Sequence, residues 1–204
     1  MFAGAQISLY PMTDRFIDVI LSSISAMEPW RDRLRIKTDD VSTTVIGPPE
    51  LLFPAIGALF VAAARQGGHV VLNATFSRGC PGEPDDPICV GAGLPVSDET
   101  VDGLADAALA RLIDRPAAGV PVAAQISLYP LGQHDHMAGI WACIDFLKRS
   151  GVYATAKHFC TKLRGDADRV LQVIEQAFIG FAPADRHVVL TVTLSAGSPS
   201  QPKD

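Results

Sequence analysis

The sequence predicts an α+β fold of two tandem βαββαβ units with antiparallel sheets, and three observations carry that expectation. The heptapeptide Ala5-Gln-Ile-Ser-Leu-Tyr-Pro11 recurs unchanged as Ala124-Gln-Ile-Ser-Leu-Tyr-Pro130. The run His69-Val-Val-Leu-Asn-Ala-Thr-Phe-Ser-Arg-Gly79 aligns with His187-Val-Val-Leu-Thr-Val-Thr-Leu-Ser-Ala-Gly197, at an offset that differs from the first by a single residue. A weaker correspondence between 42–47 and 160–165 falls between them and keeps Thr43 level with Thr161. Self-similarity of this kind marks a duplicated structural unit.

Each element of the unit has a local reason. Residues 6–10 alternate polar and apolar side chains and stop at Pro11, as a half-buried strand does. A helix follows, with Thr13 placed to cap it and Phe16, Ile20, Ile24 and Met27 at helical spacing; the second copy offers Met137, Ile140, Trp141, Ile144 and Leu147. Two β-rich runs, 34–38 and 41–46, are matched by 152–155 and 159–163, with hairpin-sized gaps between them. A second helix covers about 50–65, with its counterpart at about 167–180. Its apolar stretch is shorter than the roughly 20 residues a membrane crossing needs, so it reads as a core helix. Each copy closes on the His-Val-Val-Leu strand. This order is the split-βαβ, ferredoxin-like plan, with both helices on one face of the sheet. The expected divisions are a first repeat at 1–79, an acidic linker with a helix at 80–120, a second repeat at 121–198 and a flexible tail at 199–204.

Alternation then assigns faces. Ile7, Leu9, Val70, Leu72, Ala74 and Phe76 go under the helices, while Gln6, Ser8, Tyr10, Val71, Asn73 and Thr75 turn outward. The second copy exposes Gln125, Ser127, Tyr129, Thr191 and Thr193 in the same way, and Thr43 or Thr161 can join that open surface. Two sheets with so polar a face are expected to cover each other, meet a partner chain or bind something.

Composition narrows the chemistry. The 204 residues are 48% hydrophobic and 19% charged, with a formal charge of -5. The acidity sits in 80–120, which holds eight acidic and two basic side chains and leaves the flanks at 0 and +1. Near-neutral copies argue against a nucleic-acid partner, and the sheet offers mainly Tyr10 and Tyr129 for base stacking. The N-terminus lacks a basic n-region and an apolar h-region, so a cytoplasmic location is expected. Cys80, Cys89, Cys143 and Cys160 show no zinc-ligand spacing, and no metal site is expected. Cys80 and Cys89 can close a loop as a disulfide, whereas reduced thiols fit a cytoplasmic chain. The linker opens as a proline-broken acidic loop. It continues into a helix capped at Ser97 and carrying Val101, Leu104, Ala108, Leu109 and Leu112, which should pack down.

No GxGxxG, Walker, GxSxG, HExxH or EF-hand pattern occurs, and no catalytic residue is expected. The alternative is an enzyme with Cys80 as nucleophile and His69 as its base, although the second copy has Ser198 in that neighbourhood and no thiol. His69 and His187 each open a strand, as satisfied edge residues do. Asp39-Asp40 reads as a solvated turn, with Lys157-His158 as its counterpart. What repeats is a set of neutral hydrogen-bonding side chains. They suit the edge of a small heteroaromatic molecule in an apolar pocket, and equally a watered interface between sheets.

Several spaced motifs together carry a family likeness: Gln6-Ile-Ser-Leu-Tyr-Pro-Met12, Lys37-Thr-Asp-Asp-Val-Ser-Thr43, His69-Val-Val-Leu-Asn-Ala-Thr-Phe-Ser77, Gly79-Cys-Pro-Gly82 and Leu194-Ser-Ala-Gly-Ser-Pro-Ser200. Over nearly its whole length the chain resembles the YkoF family of thiamin- and hydroxymethylpyrimidine-binding proteins. The resemblance implies tandem ferredoxin-like, ACT-like repeats, a homodimer, and one site per repeat for the aminopyrimidine ring of thiamin. It further implies binding without catalysis, no cofactor beyond the bound ligand, and a role in pyrimidine salvage beside a membrane uptake system. Carried over, the first site uses the strand at Ser8 and Leu9 with Thr43, and the second uses Ser127 and Leu128 with Thr161. Asn73 and Thr191 are the neighbouring pair that differs between copies. Ring nitrogens and an amino group are complemented by strand main-chain groups and a threonine hydroxyl. Asp40 beside the first site would favour a cationic thiazolium, whereas a protonated His158 beside the second would not. No glycine-rich loop or arginine cluster is placed for a pyrophosphate, so the diphosphate is not the expected ligand.

Overall fold

The computed structural model describes residues 3–79, 103–132, 136–182 and 186–200. The first copy runs β1 (Ala3–Pro11), α1 (Phe16–Ile24) continued by a 3-10 helix (Ser25–Arg33), β2 (Arg35–Thr38), β3 (Thr43–Gly47), α2 (Pro49–Ala64) and β4 (Val70–Arg78). After the connecting helix α3 (Leu104–Ala110), the second copy runs β5 (Pro121–Pro130), α4 (His136–Arg149), β6 (Tyr153–Ala156), β7 (Thr161–Asp166), α5 (Ala167–Gly180) and β8 (Val188–Ala196). Both copies follow the βαββαβ order. Pro48 and Pro49 start α2, where a proline's missing N–H costs nothing. Asp166 caps α5 by accepting from the Asp168 N–H, and its carboxylate also takes the Ala118 and Val120 N–H groups. Burial works against that charge, yet these backbone donors prevail and hold the carboxyl below its ordinary range.

The copies do not form two separate sheets. Their last strands pair along their whole length, from Val70 opposite Ala196 to Arg78 opposite Val188, and produce one antiparallel sheet ordered β2-β3-β1-β4-β8-β5-β7-β6. Edge pairing satisfies two rows of backbone groups that a lone ferredoxin-like unit leaves open. The repeat-equivalent residues Ala74 and Val192 face each other, so a pseudo-twofold axis passes between them. Around it, His69 Nε2 meets Ser195 Oγ at 2.9 Å and His187 Nε2 meets Ser77 Oγ at 3.0 Å. The strand-opening histidines are therefore satisfied cross-repeat partners. Gly79 and Gly197 end the two joined strands with φ of 68° and 66°, and a Cβ on either would run into the backbone at Arg186 or Gly68. Only glycine fits such a place.

The described helices pack on one face of the sheet. Ile7, Val70, Leu72, Ala74 and Phe76 are buried as alternation assigned them, Leu9 is half-buried, and Ile126 and Val192 are buried in β5 and β8. Phe53 stacks on Phe76 at 4.3 Å, and Phe178 tilts against both at 5.7 and 5.8 Å, so α2, β4 and α5 share one aromatic cluster across the repeat junction. The connecting helix packs down with Ala105 and Ala108 buried. Gly103 precedes it, while Cys80, Cys89, Ser97 and Val101 lie outside the described residues. Among the described residues no helix is long and apolar enough to cross a membrane.

Glu175 on α5 is an ionisable misfit in this layer. Burial pushes its carboxyl up to about 7, with Glu50 adding to the shift and Arg115 opposing it. A carboxyl raised on folding binds more protons in the native state between about pH 4.5 and 7, so its contribution is lost as pH rises through that window. Glu175→Gln is expected to raise stability at pH 8 by about 1–2 kcal/mol, after allowance for partial exposure, and to leave it little changed at pH 4.5. Urea unfolding at the two pH values checks this.

Candidate functional site

Strand lengths create the site. β1 is nine residues long, but its ladder with β3 stops at Ile7 opposite Thr43. Likewise the β5–β7 ladder stops at Ile126 opposite Thr161. Beyond those pairs, residues 8–10 and 127–129 keep a strand partner only on the β4 or β8 side. Alternate residues there turn N–H and C=O toward the side that the short strand has left. The β2–β3 and β6–β7 hairpins bend across the opening, pinned by the Ser8 hydroxyl donating to Val41 O at 3.1 Å and the Ser127 hydroxyl to Phe159 O at 2.8 Å.

A cavity lies between the first helical segment and the hairpin of each repeat; in the second repeat residues 127–129 of the open edge are in its wall, whereas in the first the cavity meets the sheet at Thr43 and residues 8–10 are not in its wall. The first, of about 490 Å³, is bounded by Ile24, Met27, Arg31, Leu34, Ile36 and Thr43, among others. The second, of about 420 Å³, has Leu128 and Thr161 on its sheet side, Ile140, Trp141 and Ile144 on its helix side, and Tyr153 and residues 156–160 across the mouth. Both volumes suit a small organic ligand.

The inherited site residues are divided by this geometry. Antiparallel partners share a face, so Thr43 opposite Ile7 and Thr161 opposite Ile126 lie on the helix side. Alternation alone had allowed them the open face, because it does not give the hairpin register. Leu9 and Leu128 lie on the helix side as well; Ser8, Asn73, Ser127 and Thr191 lie on the open side. Thr43 lines the first cavity, and Ser127, Leu128 and Thr161 line the second. Asn73 is away from both, with its amide donating to Thr193 Oγ1 at 3.4 Å. Thr191, opposite Ser127 on β8, lines neither cavity. Thr43 shares a 3.0 Å hydroxyl contact with Thr38, whereas position 156, the counterpart of Thr38, is alanine.

The apolar stripe of the first helix is divided between cavity, core and surface. Val19, Ser23 and Met27 are the buried positions of the first repeat's helical segment, while Phe16 and Ile24 are largely exposed. In α4 the buried positions are Gly139, Cys143, Phe146 and Leu147; Trp141 is 61% exposed. A Cβ at Gly139 would stand 2.5 Å from Phe181 O, so the helix approaches the body at that glycine while Ile140, Trp141 and Ile144 face the cavity. Spacing identifies such residues as one stripe and cannot tell a cavity wall from a core wall.

Charge differs between the two hairpins. Asp39 in the first folds back on its own turn, and the N–H groups of Ser42 and Val41 hold its carboxyl below the usual range. In the second, Lys157 and His158 occupy the corresponding positions and both line the cavity. Burial pushes the Cys143 thiol up to about 12, so this cavity-lining cysteine is a neutral thiol. Among the described residues no group of three or more His, Cys, Asp or Glu is placed to hold a metal ion.

Comparison with known proteins agrees with this duplicated arrangement. The YkoF-related family matches residues 2–83 and 121–201, one match on each repeat. A protein of Bacillus subtilis (strain 168), provisionally named HMP/thiamine-binding protein YkoF, is 34% identical over 200 residues, covering 98% of this chain and 92% of its own. Two matched repeats and near-complete coverage of the relative place the chain in the YkoF-related family.

Proposed function

We propose that the chain binds thiamin or its hydroxymethylpyrimidine moiety without turnover, one molecule in the cavity of each repeat. The observation that carries the reading is the strand edge left open at residues 127–129, which lines a largely apolar cavity with Thr161 at its sheet side; the first repeat has the same open edge at residues 8–10 and a cavity of its own at Thr43. An aminopyrimidine presents alternating ring-nitrogen acceptors and amino donors along one edge, and an open strand edge presents alternating N–H and C=O groups. Thr43 and Thr161 supply hydroxyls, and Ile24 in the first cavity and Ile140 and Ile144 in the second face the ring. Ser8 and Ser127 act by holding the hairpins in place, and Leu9 and Leu128 act through their main-chain groups. Asn73 and Thr191 support the strands from the open face.

The provisional name of the Bacillus relative points to the same ligands. A homodimer and a role in salvaging the thiamin pyrimidine beside a membrane uptake system belong to this reading and rest on family membership; a cytoplasmic location goes with that role. Titrating hydroxymethylpyrimidine into ¹⁵N-labelled protein tests it. The amide signals of residues 8–10 and 127–129 should move first, and shifts confined to the open face around Asn73 and Thr193 would refute the assignment.

A further inference from the structure

The two cavities differ in charge in a way their common ancestry does not require. The second is lined by Lys148, Lys157 and His158, with no carboxylate in its wall among the described residues. Lys157 rests its ammonium on a neutral acceptor, Gln125 Oε1, at 3.2 Å. Lys148 stands three residues from Asp145, but that carboxylate is committed to Arg149 at 3.1 Å, and Asp106 goes to the same arginine. Among the described residues no carboxylate lies within salt-bridge distance of any of the three. The first cavity is arranged otherwise. Its wall holds Arg31 and Arg35 together with a carboxylate, Glu28, which pairs with Arg31 at 3.0 Å, and the hairpin beside it carries Asp39 and Asp40, outside that wall, where the second carries Lys157 and His158.

We infer that the second cavity takes the phosphate monoester of the hydroxymethyl aminopyrimidine, while the first, whose wall carries a carboxylate, takes the uncharged alcohol. The inference rests on the binding reading above and deepens it. Two ammonium groups and an imidazole can each donate to phosphate oxygens without first breaking an ion pair. Leu128, Ile144 and Tyr153 supply the apolar part of the same wall, against which the ring can lie. A single phosphate carries close to two negative charges at neutral pH, which three donors can meet.

The test is calorimetry with three probes: the pyrimidine alcohol, its phosphate monoester and inorganic phosphate. At low salt the ester should bind the second site at least about tenfold tighter than the alcohol, a preference worth one decade of affinity, and gain nothing at the first. In Lys148→Gln/Lys157→Gln protein the ester-to-alcohol ratio at the second site should fall toward one while the first site keeps its own ratio. Equal affinity of ester and alcohol at the second site overturns the inference, and so does a ratio the double substitution leaves intact. Inorganic phosphate binding as tightly as the ester also overturns it, because the ring would then play no part. If the alcohol binds neither cavity, the underlying binding reading fails; if it binds both without an ester preference, only the charge assignment fails.

Discussion

Replacing Arg78 by alanine is expected to lower the unfolding free energy by about 3–5 kcal/mol, the largest stability loss from any single side chain of the repeat junction. Arg78 is 1% exposed at the end of β4, on the helix face, where the second copy has Ala196. Its Nε donates to Phe178 O at 3.0 Å, its Nη2 to Ala182 O at 3.1 Å and its Nη1 to Arg186 O at 3.5 Å, while the guanidinium lies over the Phe178 ring at 5.9 Å. These carbonyls belong to the end of α5 and the segment leading to β8, so one side chain from the first repeat organises the last crossover of the second. Burial lowers its pKa to about 10, which still leaves it protonated at neutral pH. Alanine removes the donors, leaves carbonyls unsatisfied and opens space beside the aromatic cluster. Lysine should recover only part of the loss, since one ammonium cannot reproduce the spread of a guanidinium. Urea unfolding checks the expectation, and a loss below about 1 kcal/mol for Arg78→Ala would mean that the junction is held elsewhere.

Much of the architecture was legible because the duplication repeats each local signal. The alternation in Gln6-Ile-Ser-Leu-Tyr10 and in the His-Val-Val-Leu strands placed Ile7, Leu72 and Ala74 in the core correctly, since a strand buried on one face writes its parity directly into the sequence. Two kinds of information were not local. The first is register: Thr43 faces the helices because it pairs with Ile7, and that pairing depends on where the 39–42 turn bends. The second is long-range edge pairing, which joins β4 to β8 across more than a hundred residues and turns two expected sheets into one. The site was hidden for a related reason. Ile140, Trp141 and Ile144 follow the same helical spacing as a core stripe, and only the shortness of the β6–β7 hairpin beside the ten-residue β5 shows that no strand lies over that stretch. That mismatch of lengths was present in the sequence, in the proline-terminated heptapeptide set against its brief hairpin partners.

Filling one cavity should remove one binding event and spare the other, the largest functional effect expected of any single substitution. Thr161→Trp puts an indole into the space of about 420 Å³ beside Leu128 and Ile144, and Thr43→Trp does the same beside Met27 and Ile36 in the first repeat. Each threonine stands at the open rim of its ladder, so the larger side chain has the cavity to enter. Steric occupation of a ligand's volume should abolish binding there outright, whereas loss of the hydroxyl alone would cost about 1 kcal/mol. The untouched repeat is an internal control, because a misfolded chain would lose both sites. Calorimetric titration of hydroxymethylpyrimidine is the decisive measurement: two molecules per chain for the parent protein, one for Thr43→Trp and one for Thr161→Trp. Two molecules still bound after either substitution would contradict the placement of a ligand site in each repeat's cavity.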